Sequence, residues 1–301
     1  MTDVVERFSP ATREWFGSSF PAPTAAQVGA WEAISSGRHT LVVAPTGSGK
    51  TLSAFLWALD RLATQPAAEP GERCRVLYIS PLKALAVDVE RNLRAPLVGI
   101  AHAASRLGLA RPEIRVAVRS GDTPAAERRR FVRDPADILI TTPESLFLLL
   151  TSAAREALRG IETVIIDEVH AVAGTKRGAH LALSLERLDA LLATPAQRVG
   201  LSATVRPVEG VARFLAGGRP VTLVQPPSEK RWKLEVVVPV PDLAAIGDFA
   251  GRRSPAPSSP SGDTEQARLS ARVSSVSSSP RSPAPSSPSG DTEQARLSAR
   301  A

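Results

Sequence analysis

An apolar run, Leu41-Val42-Val43-Ala44, breaks into Pro-Thr-Gly-Ser-Gly and then into a helical pattern that opens Lys50-Thr51. Few folds accommodate such a junction. A strand buried on both faces reads as a continuous β-branched run. Gly47 and Gly49 let the backbone curl so that successive N–H groups point inward. The start of a helix adds its positive end at the same place. The segment therefore predicts a strand–loop–helix unit that holds phosphate oxygens. Thr46, Gly47, Ser48, Gly49, Lys50 and Thr51 are the candidate ATP-binding residues. Lys50 is expected to reach the β- and γ-phosphates, and the Thr51 hydroxyl to ligate Mg²⁺. The loop starts with Ala44 where the strict pattern has Gly.

The same grammar repeats along the chain. Residues 41–44, 75–80, 114–118, 137–141, 163–167 and 198–202 read as buried strands, with helical segments such as 50–63, 83–101 and 180–193 between them. Alternation of this kind predicts an α/β fold, a parallel sheet flanked by helices. Ligands of such sheets bind at the C-terminal ends of the strands.

One of those ends is chemically unusual. Val164-Ile165-Ile166 runs straight into Asp167-Glu168, with His170 two residues on. Adjacent carboxylates repel, and burial costs both unless something offsets their charge. A divalent cation does so, as does a reaction that needs one carboxylate for metal and one as base. With the phosphate loop upstream, Asp167 is expected to hold Mg²⁺ through water opposite Thr51. Glu168 is expected to orient and deprotonate the attacking water. The catalytic candidates are thus Glu168, Asp167 and Lys50. His170, three residues after the metal carboxylate, is expected to couple the site to its surroundings.

Composition narrows the setting. No stretch reaches 18 uninterrupted apolar residues, so no membrane span is expected. The N-terminus carries acidic residues and no apolar h-region, and reads as no secretory signal. Cys74 is the single cysteine and excludes an internal disulfide. These features fit a cytoplasmic protein. The net charge is +7, of which residues 251–301 supply +3 from seven Arg against four acidic residues. The remainder is mildly basic, which permits a polyanionic partner without requiring one. From about residue 243 the chain turns Ser-, Pro- and Arg-rich, and a 20-residue segment at 253–272 recurs identically at 281–300. With almost nothing to bury, residues 243–301 read as a disordered tail beside a domain at 1–242.

Together, "APTGSGKT" (44–51), "DEVH" (167–170) and "SAT" (202–204) resemble motifs I, II and III of superfamily 2 DEAD/DEAH-box helicases. The stretches "FPAPTAAQVGAWEAISSGRHT", "YISPLKALAVDVERNLRAPL", "RSGDTPAAERRRF" and "ILITTPESLFLLL" are similar to the large helicase-related (Lhr) family, and the likeness runs from about Phe8 to Asp242. This resemblance implies a RecA-like first motor lobe of an ATP-dependent helicase. It implies that Gln27 reads the adenine edge and that Phe8 or Phe20 stacks on the base. Pro81, Leu82 and Lys83, Gly121, and Thr142 and Pro143 are implied to contact a nucleic-acid backbone, and Ser202 and Thr204 to link nucleotide state to strand grip. The implied partners are single-stranded DNA or an RNA–DNA hybrid, together with a second RecA-like lobe. No "Q-x-x-R-x-G-R"-like stretch follows Thr204, so the sequence reads as a first lobe cut short, with feeble turnover expected. A non-motor ATP-dependent binding module and a non-functional gene fragment are the competing readings. "ERRRF" (127–131) reads either as a DNA clamp or as a solvated helix face, and Lys176 and Arg177 are further basic candidates.

Overall fold

The computed structural model describes residues 4–45, 47–66, 68–203 and 205–227. Thr46, Thr204, the expected boundary at 242/243 and the Ser/Pro-rich tail lie outside the described residues. The strands β1 (Thr40–Val43), β2 (Val76–Ile79), β3 (Val116–Arg119), β4 (Ile138–Thr141), β5 (Thr163–Ile166), β6 (Gln197–Ser202) and β7 (Thr222–Val224) form one sheet. Their order is β3-β4-β2-β5-β6-β1-β7, and every pairing is parallel. The helices are α1 (Pro10–Ser19), α2 (Ala25–Ser35), α3 (Lys50–Thr64), α4 (Lys83–Arg106), α5 (Ala125–Arg133), α6 (Pro143–Leu150), α7 (Val169–Val172), α8 (Lys176–Asp189) and α9 (Val208–Ala216). This is the α/β parallel sheet expected from the alternation, in the RecA-like form that the resemblance implied.

Period-2 geometry sends alternate strand residues to two cores. Val42, Tyr78, Ile138, Ile140, Ile165, Val199 and Leu201 pack on one face, with Trp31 of α2 and Phe55 of α3. Leu41, Val43, Leu77, Ile79, Leu139, Val164 and Ile166 pack on the other, with Leu146 of α6, Leu185 of α8 and Leu215 of α9. Full burial of each such side chain contributes about 1.5–3 kcal/mol. Gly200 lets α9 approach β6 closely, since a Cβ there would stand 2.9 Å from Leu215 and 3.0 Å from Leu41.

All six expected strands are present, within two residues of the expected limits. The additional strand, β7, is a three-residue edge on β1. Two helices differ in extent from the expected segments. α4 continues through Pro96 to Arg106. α8 opens at Lys176 because Thr175 caps it, its hydroxyl accepting from the Gly178 N–H at 3.0 Å.

At the N-terminal end of the sheet a buried arginine anchors a charged cluster. Arg198 of β6 is 1% exposed and donates to Glu186 (2.9 Å), Asp189 (2.7 Å) and the Leu215 carbonyl (3.1 Å). Arg219 shares Asp189 at 2.9 Å. His39 Nδ1 accepts the Arg198 backbone N–H at 3.0 Å. Burial, then the charges of Arg219 and Arg198, hold the His39 pKa below its ordinary value. The cluster ties β6 to α8 and α9 at the end of the sheet opposite the phosphate loop.

Candidate nucleotide and nucleic-acid site

Strand order assembles the site. β6 stands between β1 and β5, so the end of β6 lies between the phosphate loop after β1 and the acid pair after β5. The Ala44 N–H donates to the Ser202 carbonyl at 3.2 Å. Gly47 (φ 80°) and Gly49 (φ 79°) take left-handed conformations that a side chain would strain. A Cβ on Gly49 would also stand 2.6 Å from Gln27 Nε2. Lys50 is buried, and its ammonium donates to the Ala44 carbonyl at 2.6 Å. Burial lowers the Lys50 pKa, and Glu168 and Asp167 pull against that shift. Ser48 Oγ is buried without a hydrogen-bond partner.

Asp167 is 8% exposed, and each of its oxygens is held by a donor. Oδ2 accepts from the Tyr78 hydroxyl, and Oδ1 from the Glu168 N–H at 2.9 Å. Burial, followed by the Asp167 charge, drives the Tyr78 pKa far up, so the phenol stays a donor. Tyr78 stacks on Phe55, with centroids 5.0 Å apart. Sequence reasoning passed over Tyr78. The only signal was one hydroxyl in an otherwise apolar strand.

Glu168 is the one non-glycine residue with positive φ among those described (φ 44°). That conformation is costly for a residue with a Cβ and clusters at functional sites. The Glu168 carboxylate stands beside His170, whose Nδ1 lies 3.3 Å from Oε2. The same nitrogen faces Ser202 Oγ at 3.2 Å and the Ala203 N–H at 3.3 Å. Nδ1 therefore stands at the meeting point of a carboxylate, a hydroxyl and a backbone N–H. His170 thus touches both the acid pair and the end of β6.

Gln27, Gly47, Gly49, Lys50, Thr51, Asp167 and Glu168 line one cavity of about 600 Å³. Phe20 lines it too, whereas Phe8 is core, edge-on to Trp31 and Trp57. Of the two aromatic candidates, only Phe20 is at the cavity. Gln27 belongs to a capping box: Oε1 accepts the Thr24 N–H at 2.9 Å and the Thr24 hydroxyl accepts the Gln27 N–H. Thr24 also donates to the Ser48 carbonyl at 2.9 Å, fastening α2 to the phosphate loop. The amide group of Gln27 therefore has its oxygen engaged and its nitrogen beside Gly49.

The candidate strand-binding residues follow β2, β3 and β4, which are contiguous in the sheet. Leu82 and Lys83 are exposed and Pro81 is buried. Lys83 pairs with Asp122 at 2.8 Å and stands 3.5 Å from where a Cβ on Gly121 would be. Thr142 is 3% exposed, with its hydroxyl capping α6, and Pro143 is buried at the first helical position. Their side chains are committed to the helix start. Arg177 is engaged by Glu144 at 2.9 Å. The Tyr78–Asp167 contact joins this half of the sheet to the nucleotide half.

A parallel sheet with a phosphate loop after β1, an Asp-Glu pair after β5 and a serine-bearing strand between them defines a P-loop core of the helicase class. A family model described as DEAD/DEAH box helicase matches residues 24–211, and the chain belongs to that family. It is similar to the Lhr helicase/probable uracil glycosylase of Mycolicibacterium smegmatis, at 68% identity over 244 residues. It is 59% identical over 248 residues to the Lhr helicase/uracil glycosylase of Escherichia coli. Each alignment covers 81% of this chain, which spans 16% of the length of either relative. The structure of Mycobacterium smegmatis helicase Lhr bound to ssDNA and AMP-PNP matches with a TM-score of 0.75 at 66% identity, covering 81% of this chain and 31% of that one. No helix among the described residues is long and apolar enough to cross a membrane.

Proposed function

We propose that this chain is the nucleotide-binding lobe of an ATP-dependent helicase that acts on single-stranded DNA or an RNA–DNA hybrid. The observation that carries the reading is one cavity holding the phosphate loop, Lys50, Thr51 and the Asp167–Glu168 pair. The relative solved with ssDNA and AMP-PNP supports both ligand classes. Glycine-loop N–H groups and Lys50 bind the phosphates. Gln27 donates to the adenine edge through its free amide nitrogen, and Phe20 stacks on the base.

The donor set suits Mg²⁺. Both Asp167 oxygens already accept one hydrogen bond and keep a lone pair each, which fits a metal held through water beside the Thr51 hydroxyl. When bound, Mg²⁺ offsets phosphate charge. Glu168, with its carboxylate beside His170, takes the proton of the attacking water. His170 and Ser202, with Thr204, carry nucleotide state toward the loops at Pro81–Lys83, Gly121 and Thr142–Pro143. A second RecA-like lobe supplies the arginines that stabilise charge on the transferred phosphoryl group. Residues 1–301 alone then bind nucleotide and turn it over feebly.

Calorimetric titration with Mg-ATP tests this. Lys50→Ala removes a charge-assisted contact and should lose roughly 1.5–3 kcal/mol of binding. Equal affinity in both proteins would remove Lys50 from the site and with it the phosphate-loop assignment.

A further inference from the structure

One strongly basic feature takes no part in the site described above. Arg119 closes β3, and Arg128, Arg129 and Arg133 follow on α5. All four line an open cavity of about 480 Å³, whose far wall is Ser152, Ala153 and Ala154. Among the described residues no carboxylate lines it. Arg115, Arg155 and Arg159, by contrast, each hold a carboxylate.

The arrangement is unfavourable as it stands. Arg119 Nη1 is buried without a hydrogen-bond partner. Burial, then the charge of Arg128, depresses the Arg119 pKa. A buried donor left unmade and a like-charged neighbour both cost free energy, and an anion offsets both. Arg128 is already engaged. It donates to the Thr123 carbonyl at 2.7 Å and the Gly121 carbonyl at 2.6 Å, bracing that loop. Arg128 thus links the cavity it lines to the Gly121 loop.

We propose that the Arg119–Arg129–Arg133 cavity is a phosphate site that takes the backbone of the nucleic-acid strand as it leaves the Gly121 loop. The proposal rests on the strand-binding reading above. Guanidinium forks match phosphate oxygens two at a time. Contacts of this kind position a strand without reading its bases. Continuity with the Gly121 loop and Lys83 favours a nucleic-acid backbone over an acidic protein segment.

The test is fluorescence anisotropy of labelled single-stranded DNA across a salt series. The proteins are the full chain, Arg119→Gln, Arg129→Gln/Arg133→Gln and Lys83→Ala. Arg129 and Arg133 are exposed, so the double variant should keep the parent's thermal midpoint. It should bind about tenfold more weakly, and its log–log salt slope should fall by about 1.4, as expected for two lost phosphate contacts on a single strand. Arg119→Gln should weaken binding in the same direction, and no variant should change base preference. Parental affinity and slope in both arginine variants, with binding weakened in Lys83→Ala, would overturn this site and leave the strand-binding reading standing. No strand binding by the parent chain would overturn both, while the Lys50 nucleotide titration would stand apart. Competition by poly-L-glutamate as strong as by unlabelled strand would overturn the proposal in favour of an acidic protein partner.

Discussion

Glu168→Gln is expected to slow ATP hydrolysis by about 10² or more while ATP affinity changes little. Glutamine keeps the size and reach of the side chain but cannot accept a proton from water. The left-handed backbone at this position (φ 44°) is equally strained for either residue, so the substitution leaves the local conformation as it is. Asp167 keeps the Tyr78 hydroxyl and the residue-168 N–H as donors, and Lys50 keeps its place. Binding and chemistry therefore separate. Single-turnover hydrolysis with protein in excess over ATP, beside a binding titration, reads the two effects. Unchanged hydrolysis would show that Glu168 is not the base.

Arg198→Met should cost about 3–5 kcal/mol of folding stability, the range for breaking a buried ion pair from one side. The methionine fills much of the volume, but Glu186, Asp189 and the Leu215 carbonyl all lose a donor. Arg219 still holds Asp189, which points to the lower end of the range. The cluster lies at the N-terminal end of β6, so Mg-ATP affinity of the folded variant should match the parent. Denaturant unfolding gives the stability change, and a loss under 1 kcal/mol would show that the cluster contributes little. His39 adds a pH dependence of known sign. Its folded pKa is lowered, so below its ordinary value of 6.5 the unfolded chain binds a proton that the folded chain refuses. This contribution is neutral above that value and destabilises the fold as pH falls toward the lower, folded pKa.

The sheet was legible because its strands are buried on both faces. "TLVV", "VLYI", "ILIT" and "TVII" are continuous apolar or β-branched runs, and each is almost wholly buried. β7 was not, because three residues on an edge carry no period. The phosphate loop and acid pair were legible because Gly-x-Gly-Lys-Thr between a strand and a helix, and two adjacent carboxylates ending an apolar strand, are patterns local enough to read. Their proximity depends on β6 lying between β1 and β5, which no local pattern encodes. The face an aromatic ring takes is equally silent in sequence. Phe8 and Phe20 differ only in what packs on them, and Phe20 alone reaches the cavity. Arg198 reads locally as the polar start of a strand, because its partners arrive from α8 and α9. Tyr78 meets Asp167 from a strand 89 positions away in sequence.

The most direct test of a motor lobe that needs a partner is ATP hydrolysis stimulated by single-stranded DNA. It is measured on residues 1–301 alone and again after adding a separate second RecA-like lobe that bears phosphate-contacting arginines. An arginine supplied in trans contributes about 10³–10⁵ in rate. Residues 1–301 alone should therefore hydrolyse ATP barely above background with the strand present, and the rate should rise by orders of magnitude when the second lobe docks. Full strand-stimulated turnover by residues 1–301 alone would contradict the account.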